Sequence, residues 1–365
     1  MAKVSIVIMG HNASNHLEGC LSSIFCQDFQ DFEVIWVDSA STDGSLKKIQ
    51  TQFPQVKIVA LTYNAGYRCA TNLGAHEAKG EYLVICNQDT SMDRYWLTQM
   101  INCIETDHTI GIVAPKILMF DDAQVINEAG NVLHYAGLYG SRGLGASAAE
   151  FSVSEPIATM SGCCFLIRRS VWLALGGFSA DFDKLDTAWH ASFEDVDLAW
   201  RTQLAGFKVV FCAHALMYHK YLSKGMIPSR FCGYEWGRYL VIIRNYEFRT
   251  LFLLFPLLLA LEVGTWLYAI GKGWPWLIAK AKAMHWLIAN RALLSRMRQR
   301  VQKMRRIRDA VIVTRMDSTI RITHVIPSLR LTRLVQRIVD ATFKVYHRFF
   351  LFGLNLLESF RNNID

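Results

Sequence analysis

Two carboxylates interrupt stretches of apolar, β-branched residues. Asp38 ends the stretch FEVIWVD, and Asp89 follows YLVIC within the tetrapeptide NQDT. Both stretches have the length and composition of buried strands. An acid at such a strand end either caps a turn or reaches a ligand beyond the sheet. A carboxylate with amide neighbours, as at Asp89, suits Mg²⁺ or Mn²⁺, which takes its other oxygens from water and phosphates.

A third acidic group places three carboxylates within four residues, in SFEDVDLAWR. Acids are favourable at helix N-termini because of the helix dipole, so one interpretation is purely structural. The sequence predicts that Glu194 and Asp195 precede the helix, and we then expect them to face the same crevice as Asp38 and Asp89. His219 ends the last predicted strand. A single histidine is more often structural than a ligand, so His219 gains meaning only together with Asp89.

Strands and helices alternate along the first ninety residues. The pattern predicts strands at KVSIVIM, FEVIWVD, VKIVAL and EYLVIC, with helices at LEGCLSSIFCQ, Ser45 to Phe53 and NAGYRCATNLGAHEAKG. This order indicates a parallel sheet with right-handed crossovers, whose functional groups gather beyond the carboxyl ends of the strands. A dinucleotide-binding fold is disfavoured because MGHNAS follows the first strand in place of G-x-G-x-x-G. Later segments predict strands at IGIVAPK, SGCCFLIRR, FKVVFC and ALMYHK, and helices at SVWLALGGF and FEDVDLAWRTQLAG.

The positive charge is concentrated in the C-terminal region. The 365 residues carry a net charge of +8, yet residues 291–365 alone hold sixteen Lys and Arg against five Asp and Glu, an excess of +11. A basic tail indicates nucleic acid or an anionic membrane surface as partner. Its Arg residues alternate with apolar helical positions more than with stacking aromatics, so we expect no nucleic-acid partner.

Two segments of the C-terminal region have the composition of membrane-binding elements. Residues 250–271 contain one charge in 22 residues and are long enough to cross a bilayer, although Pro256 and Glu262 fit a re-entrant or interfacial element equally well. Residues 329–349 predict an amphipathic helix on an anionic membrane, or one packed on its own domain. The helical positions are Leu331, Leu334, Ile338, Val345 and Phe349, between Arg330, Arg333, Arg337, Lys344 and Arg348.

The expected division is a catalytic domain over residues 1–228 and a helical, membrane-associated region over 229–365. The first ten residues read as a strand, so we expect no secretory signal. The nine cysteines are odd in number and lack CxxC spacing, which favours reduced thiols in a cytosolic compartment over disulfides or a metal cage.

Five motifs in order, followed by His219, resemble the family 2 glycosyltransferases with the GT-A fold. They are VSIVIMGHN, VDSASTDGS, NAGYRCATNLGAHEAKGEYLVICNQDT, MSGCCFLIRRSVWLALGGF and FEDVDLAWRTQLAGF. The similarity covers about residues 3–225 and is greatest to bacterial rhamnosyltransferase-type enzymes that build cell-surface polysaccharides. It implies an α/β fold with a mixed sheet flanked by helices.

The resemblance also implies a role for each matching position. The backbone at Ile8 and Met9 and the side chain of Asp38 would hold the nucleobase. Asn87 to Asp89 would be the metal motif, with Asp89 as ligand of the diphosphate-bound Mg²⁺ or Mn²⁺ and His219 completing the site. Ser161 and Gly162 would form the loop under the donor and the acceptor. Glu194 would help to bind the acceptor hydroxyls, and Asp195 would be the general base.

Three departures from the family pattern stand out. Asn87 replaces the first Asp of D-x-D and removes one formal charge from the metal site. His11 replaces a frequent Tyr. The stretch from Phe178 to Glu194 is several residues longer than usual, with DKLDTAWHAS inserted. That stretch borders the acceptor side, so the acceptor is the part of the analogy with least support.

The expected activity is therefore an inverting, metal-dependent glycosyl transfer. A divalent ion stabilises charge on the leaving diphosphate, and a carboxylate deprotonates the acceptor hydroxyl. The expected donor is dTDP-rhamnose, the acceptor a lipid-linked saccharide, and the location the cytoplasmic face of a bacterial inner membrane, peripheral or monotopic. The alternatives are a UDP-hexose or UDP-N-acetylhexosamine donor, or an inactive, membrane-anchored nucleotide-binding protein.

Overall fold

The computed structural model describes residues 2–179, 193–220, 225–319 and 329–362. The chain divides into two compact units. The first comprises Met1–Asn131, Ser141–Thr187 and Glu194–Gly225, and the second Val132–Gly140, Ala188–Phe193 and Met226–Asp365. The inserted segment DKLDTAWHAS lies outside the described residues.

The first unit is built on a ten-stranded mixed sheet. Its strands are β1 (Val4–Gly10), β2 (Phe32–Ser39), β3 (Lys57–Leu61), β4 (Tyr82–Asn87), β5 (Thr90–Met92), β6 (Ile110–Met119), β7 (Ile126–Glu128), β10 (Glu155–Pro156), β11 (Cys164–Arg168) and β12 (Lys208–His219). Two further short strands, β8 (Asn131–Leu133) and β9 (Tyr139–Ser141), pair with each other.

The strand order explains why strand ends meet at one edge. The sequence of neighbours is β10-β12-β6-β11-β4-β1-β2-β3, with β5 added to β12 and β7 added to β6. Strands β3, β2, β1 and β4 are parallel, whereas β11 runs antiparallel to both β4 and β6. The mixed sheet is the one that the sequence predicted, and the antiparallel β11 lies within it.

Helices cover both faces of this sheet. They are α1 (Leu17–Phe25), α2 (Ser45–Gln52), α3 (Gly66–Glu77), α4 (Trp96–Glu105), α5 (Arg169–Leu175) and α6 (Glu194–Leu204), with a 3₁₀ turn at Ala148–Phe151. Alternate residues of β1 enter opposite core layers, so the strand is apolar nearly throughout. Gly74 of α3 lies so close to the sheet that a Cβ there would stand 2.3 Å from Val7 Cγ1.

The second unit is helical. It contains α7 (Pro228–Asn245), α8 (Phe248–Lys272), α9 (Trp274–Ala289), α10 (Arg291–Met304), α11 (Asp309–Val313) and α12 (Leu329–Asn362). Among the described residues, α8 alone is long and apolar enough to cross a membrane, with a mean hydropathy of 1.9 over its best window. The predicted amphipathic segment forms the first two thirds of α12.

Two sequence expectations need correction. FKVVFC and ALMYHK, predicted as two strands, form the single strand β12, whose pairing with β6 shifts register between Cys212 and Leu216. A bulge of this kind bends a strand without ending it. Helix α6 begins at Glu194 itself, so Glu194 and Asp195 lie in its first turn and do not precede it.

Candidate active site

The carboxyl ends of three neighbouring strands form the floor of a crevice. In the sheet register, Met9 of β1 lies opposite Asn87 of β4, and Gly10 lies opposite Asp38 of β2. A cavity of about 240 Å³ opens at this edge, and its lining includes Met9, Ser39, Tyr67, Asn87, Gln88 and Asp89. Ile8 is fully buried and Asp38 is 2% exposed, so both lie behind this lining.

Asp38 holds the turn that follows β2. One carboxylate oxygen accepts a hydrogen bond from the Ser41 backbone N–H at 3.0 Å, and the other accepts one from Ser41 Oγ at 2.6 Å. This is the turn-capping contact that the sequence left open as an alternative. An ionised carboxylate has about four acceptor positions, so the same group retains capacity for a nucleobase N–H.

Asp89 and His219 come together because β12 pairs with β5. In that pairing His219 lies opposite Thr90, the residue after Asp89, and Lys220 N–H donates to the Asp89 carbonyl at 3.1 Å. His219 Nε2 is 3.6 Å from Asp89 Oδ1, which is too long for a good hydrogen bond. The other ring nitrogen, Nδ1, is 2.8 Å from Asn127 Oδ1. The contact with Asn127 fixes the ring so that Nε2 faces Asp89.

This pair fits a divalent cation. Burial raises the pKa of Asp89, but His219, a backbone N–H and His16 together lower that pKa below its ordinary value. Asp89 is therefore ionised at neutral pH. A carboxylate and an imidazole are both known ligands of such ions. Asn127 would act indirectly, by orienting the imidazole of His219. Within the described residues no cluster of three or more His, Cys, Asp or Glu side chains could hold a metal, so further ligands would come from substrate and water.

The loop before β11 links the crevice to α6. Tyr67 donates its hydroxyl hydrogen bond to the Gly162 carbonyl, and Gly162 N–H donates to Asp195 Oδ2 at 3.0 Å. Cys163 N–H donates to Ser161 Oγ at 3.1 Å, and the Cys163 carbonyl accepts from Asn87 N–H at 2.9 Å. The loop thus contacts both the end of β4 and the acidic start of α6.

Asp195 is a buried carboxylate held by backbone groups. It is 6% exposed, and its Oδ1 accepts from Val196 N–H at 2.8 Å while Oδ2 accepts from Gly162 N–H. Burial, with the neighbouring charge of Glu194, raises its pKa well above the ordinary value. Glu194 Oε2 lies 3.7 Å from an Arg68 guanidinium nitrogen. The two acids therefore differ in environment, one enclosed and the other beside a cation.

The comparisons with known proteins concern the family and the fold. The model of the family described as Glycosyl transferase family 2 matches residues 5–175. Residues 5–175 form a family 2 glycosyltransferase domain. The matched range includes the ends of β1, β2 and β4 and the loop at Ser161 and Gly162, whereas Asp195 and His219 lie beyond it.

Two curated relatives illustrate the range of the family. The N-acetylglucosaminyl-diphospho-decaprenol L-rhamnosyltransferase of Mycobacterium tuberculosis is 24% identical over 61% of this chain and 78% of its own length. The teichoic acid poly(glycerol phosphate) polymerase of Staphylococcus epidermidis is 30% identical over 32% of this chain. That alignment spans only 16% of the polymerase. The crystal structure of GalNAc-T7 with UDP, GalNAc and Mn²⁺ covers 67% of this chain and 48% of its own, at 18% identity and a TM-score of 0.54. It establishes the GT-A fold.

One short strand of the glycosyltransferase domain carries two residues that the sequence did not single out. On β7, Asn127 contacts His219, and the next residue, Glu128, accepts hydrogen bonds from Ser161 Oγ and from Ser141 Oγ, the latter at 2.7 Å. Burial raises the pKa of Glu128 in spite of these hydrogen bonds. The stretch INE is too short to show a period, and only its pairing with β6 reveals it.

Proposed function

We propose that this protein is an inverting, metal-dependent glycosyltransferase that uses a nucleotide-sugar donor. The observation that carries the proposal is the pairing of Asp89 with His219 at the mouth of the crevice, with Asp195 anchored on the loop that forms another part of the same site. In this scheme Asp89 and His219 hold Mg²⁺ or Mn²⁺. When bound, such an ion supplies Lewis-acid stabilisation of the charge that develops on the leaving diphosphate.

Asp195 acts as the general base in this proposal. Its raised pKa makes the carboxylate a stronger base than an exposed aspartate, and it can take the proton from the acceptor hydroxyl as that oxygen attacks. Val196 and Gly162 fix its orientation through their N–H groups. Glu194 contributes to binding the acceptor hydroxyls. One displacement inverts the anomeric centre.

The donor end is assigned to the strand ends. The backbone at Ile8 and Met9 and the free acceptor capacity of Asp38 would bind the nucleobase, and Asn87 would lie beside the diphosphate. Ser161 and Gly162 would support the transferred sugar. We propose dTDP-rhamnose as the donor because the Mycobacterium tuberculosis relative is a rhamnosyltransferase, and a UDP-hexose or UDP-N-acetylhexosamine as the competing donor.

The acceptor in this proposal is a lipid-linked saccharide at the cytoplasmic face of the membrane. The decaprenol diphosphate acceptor in that relative's name and the apolar helix α8 support it. The catalytic domain would be residues 1–228, and residues 229–365 would provide attachment.

The test is a screen of nucleotide sugars with purified full-length protein, following nucleoside diphosphate release with Mn²⁺, with Mg²⁺ or with chelator. Release from dTDP-rhamnose that requires both metal and a lipid-linked acceptor is the expected result. Release from UDP-sugars alone would show that the donor is a UDP-sugar and not dTDP-rhamnose. Nucleotide binding without release from any donor would identify an inactive binding protein and refute the proposal.

A further inference from the structure

Helix α8 exposes an uninterrupted apolar stripe. Seven large hydrophobic side chains recur at three- and four-residue intervals and are 53% to 80% exposed, namely Phe248, Phe252, Phe255, Leu259, Val263, Leu267 and Ile270. A helix of 25 residues is about 37 Å long, and the stripe follows its whole length. Sixteen of the 24 large hydrophobics exposed within the described part of the chain lie between Phe248 and Leu356. Such a concentration of exposed apolar side chains indicates a surface that binds a membrane or another protein.

No charged residue of α8 belongs to this stripe. Arg249 and Lys272, the exposed charged residues of α8, lie at its two ends. The single carboxylate of the helix, Glu262, is 2.9 Å from Lys280 Nζ of α9 and also accepts from Trp266 Nε1 at 2.9 Å. The stripe therefore carries no negative charge and is bounded by cations.

Behind Glu262 lies a buried charge network shared with α7 and α9. Lys280 is fully buried and also pairs with Glu235, and Arg238, likewise fully buried, lies 3.0 Å from Glu235 and 3.7 Å from Glu262. Helix α9 packs against both α8 and α7. It doubles back from α8 at Gly273, whose φ of 95° favours glycine. Through Glu262, helix α8 is therefore held in contact with the charged residues of α7 and α9.

This packing decides between an α8 that crosses the bilayer and one that lies along it. Glu262 is near the middle of α8, and Lys280 is level with it on α9. Two residues further, Lys282 is exposed, and His285 follows, also exposed. If α8 crossed the membrane, its partner α9 would place the exposed Lys282 near the bilayer centre, where a charge is costly. A helix lying in the interface meets no such cost.

We propose that α8 lies parallel to the membrane surface and inserts its apolar stripe into one leaflet of an anionic bilayer without crossing it. This inference rests on the proposed action at a membrane and specifies how the membrane is bound. The occupant is lipid, because the stripe is apolar along its whole length and contains no acid, and Arg249 and Lys272 at its ends can meet anionic headgroups when the helix lies in the interface. Helix α12 adds exposed cations at Arg337, Lys344 and Arg348.

Sedimentation of the full-length protein with phosphatidylglycerol-containing vesicles tests attachment. Phe255→Glu should weaken vesicle binding by about tenfold or more. The substitution removes an aromatic side chain that would insert into the membrane, and it adds a negative charge that the anionic lipids repel. Leu173→Glu is the matched control, since Leu173 is 55% exposed on the sheet domain and should leave vesicle binding unchanged. Equal binding by both variants would overturn the proposal.

Depth measurements separate the two orientations. A fluorescent amino acid placed singly at Phe252, Leu259 and Leu267 and quenched by lipids labelled at known depths should report one shallow depth of about 5–10 Å at all three positions. A profile deepest at Leu259 would mean that α8 crosses the bilayer. Protection of these positions from the lipid quenchers by a second copy of the chain would mean that the stripe is a protein interface. Nucleoside diphosphate release measured in parallel keeps the proposed function separate, because release without vesicle binding refutes only the membrane inference.

Discussion

His219 Nε2 lies 3.6 Å from Asp89 Oδ1, although the two residues come from distant parts of the chain. The antiparallel pairing of β12 with β5 creates this proximity, and the amide of Asn127 orients the imidazole. Two possible ligands of a cation therefore face one another from paired strands, and the site can be tested one residue at a time.

Asp89→Asn should reduce the metal-dependent part of nucleotide binding by at least about tenfold. The substitution keeps the size of the side chain but removes the charge that would hold the cation. Calorimetric titration with dTDP and with UDP, in Mn²⁺ and then in EDTA, measures the effect. The wild type and the variant should bind equally in EDTA. Wild-type turnover that survives the chelator would contradict the metal assignment.

Asn127→Leu should weaken Mn²⁺ affinity by about 10–100-fold, the usual effect of losing a residue that orients a metal-binding histidine. Leucine has the same number and branching of side-chain heavy atoms as asparagine, but it cannot accept the Nδ1–H hydrogen bond. Mn²⁺ titration followed by electron paramagnetic resonance gives the affinity without requiring turnover. Gln124→Leu, at an exposed position shortly before β7, serves as control, and an equal loss there would point to a general change in the fold.

Asp195→Asn should reduce kcat by about 10²–10⁴-fold and leave nucleotide affinity nearly unchanged. The structure adds a complication, because Asp195 accepts from two N–H groups and an asparagine amide can satisfy only one of them. The melting temperature should therefore be measured alongside the rate. Full turnover in a folded variant would make Asp195 a structural acceptor and transfer the base role to Glu194.

The dependence of kcat on pH should show an acid limb that is displaced upward. Burial and Glu194 raise the pKa of Asp195, and the base works only when ionised, so the rate should rise as pH increases through that raised pKa. Glu194→Gln removes the repulsive charge and should move the acid limb to lower pH. A limb that stays in place, measured with saturating donor, would show that another group controls it.

Arg201→Leu should lower the free energy of unfolding by about 3–5 kcal/mol, because it leaves the buried Asp197 carboxylate without its cation. Arg201 Nε donates to Asp197 at 2.7 Å, and its other nitrogens donate to the Leu175 and Gly177 carbonyls, both at 2.9 Å. Denaturant titration of Arg201→Leu, of the exposed Arg94→Leu as control, and of the double variant Asp197→Leu/Arg201→Leu measures this. The double variant should recover part of the loss.

Sequence patterns were sufficient for the long elements and for the strand ends. The strands and helices that the sequence predicted in the sheet domain lie within about three residues of their observed bounds, because apolar periodicity over five or more residues is a strong local signal. The exceptions are β12, which was predicted as two strands, and α4, which was not predicted. The expectation that Asp38 and Asp89 lie at the same edge of the sheet followed from parallel strand order, since β2 and β4 flank β1. Asp89 lines the cavity at that edge, whereas Asp38 is buried behind it.

The remaining features depend on pairings that are distant in sequence. Strands β5 and β7 have three residues each, too few for a period, and their partners β12 and β6 fix their position. Asn127 and Glu128 therefore had no visible signal. The helix was correctly predicted to start near Glu194, but the placement of Glu194 and Asp195 before it was wrong, because helix ends have weaker sequence signals than helix interiors.

The adjacency of Asn127 and Glu128 constrains how this enzyme can change over evolutionary time. The pairing of β7 with β6 shifts register here, with Glu128 opposite Ile117 and Ile126 opposite Leu118, so Asn127 is the extra residue of a bulge. Natural variants should therefore preserve this bulge, because its loss would displace Asn127 from His219 and Glu128 from Ser161 together. The contact with His219 and the contact with Ser161 are thereby inherited as one unit.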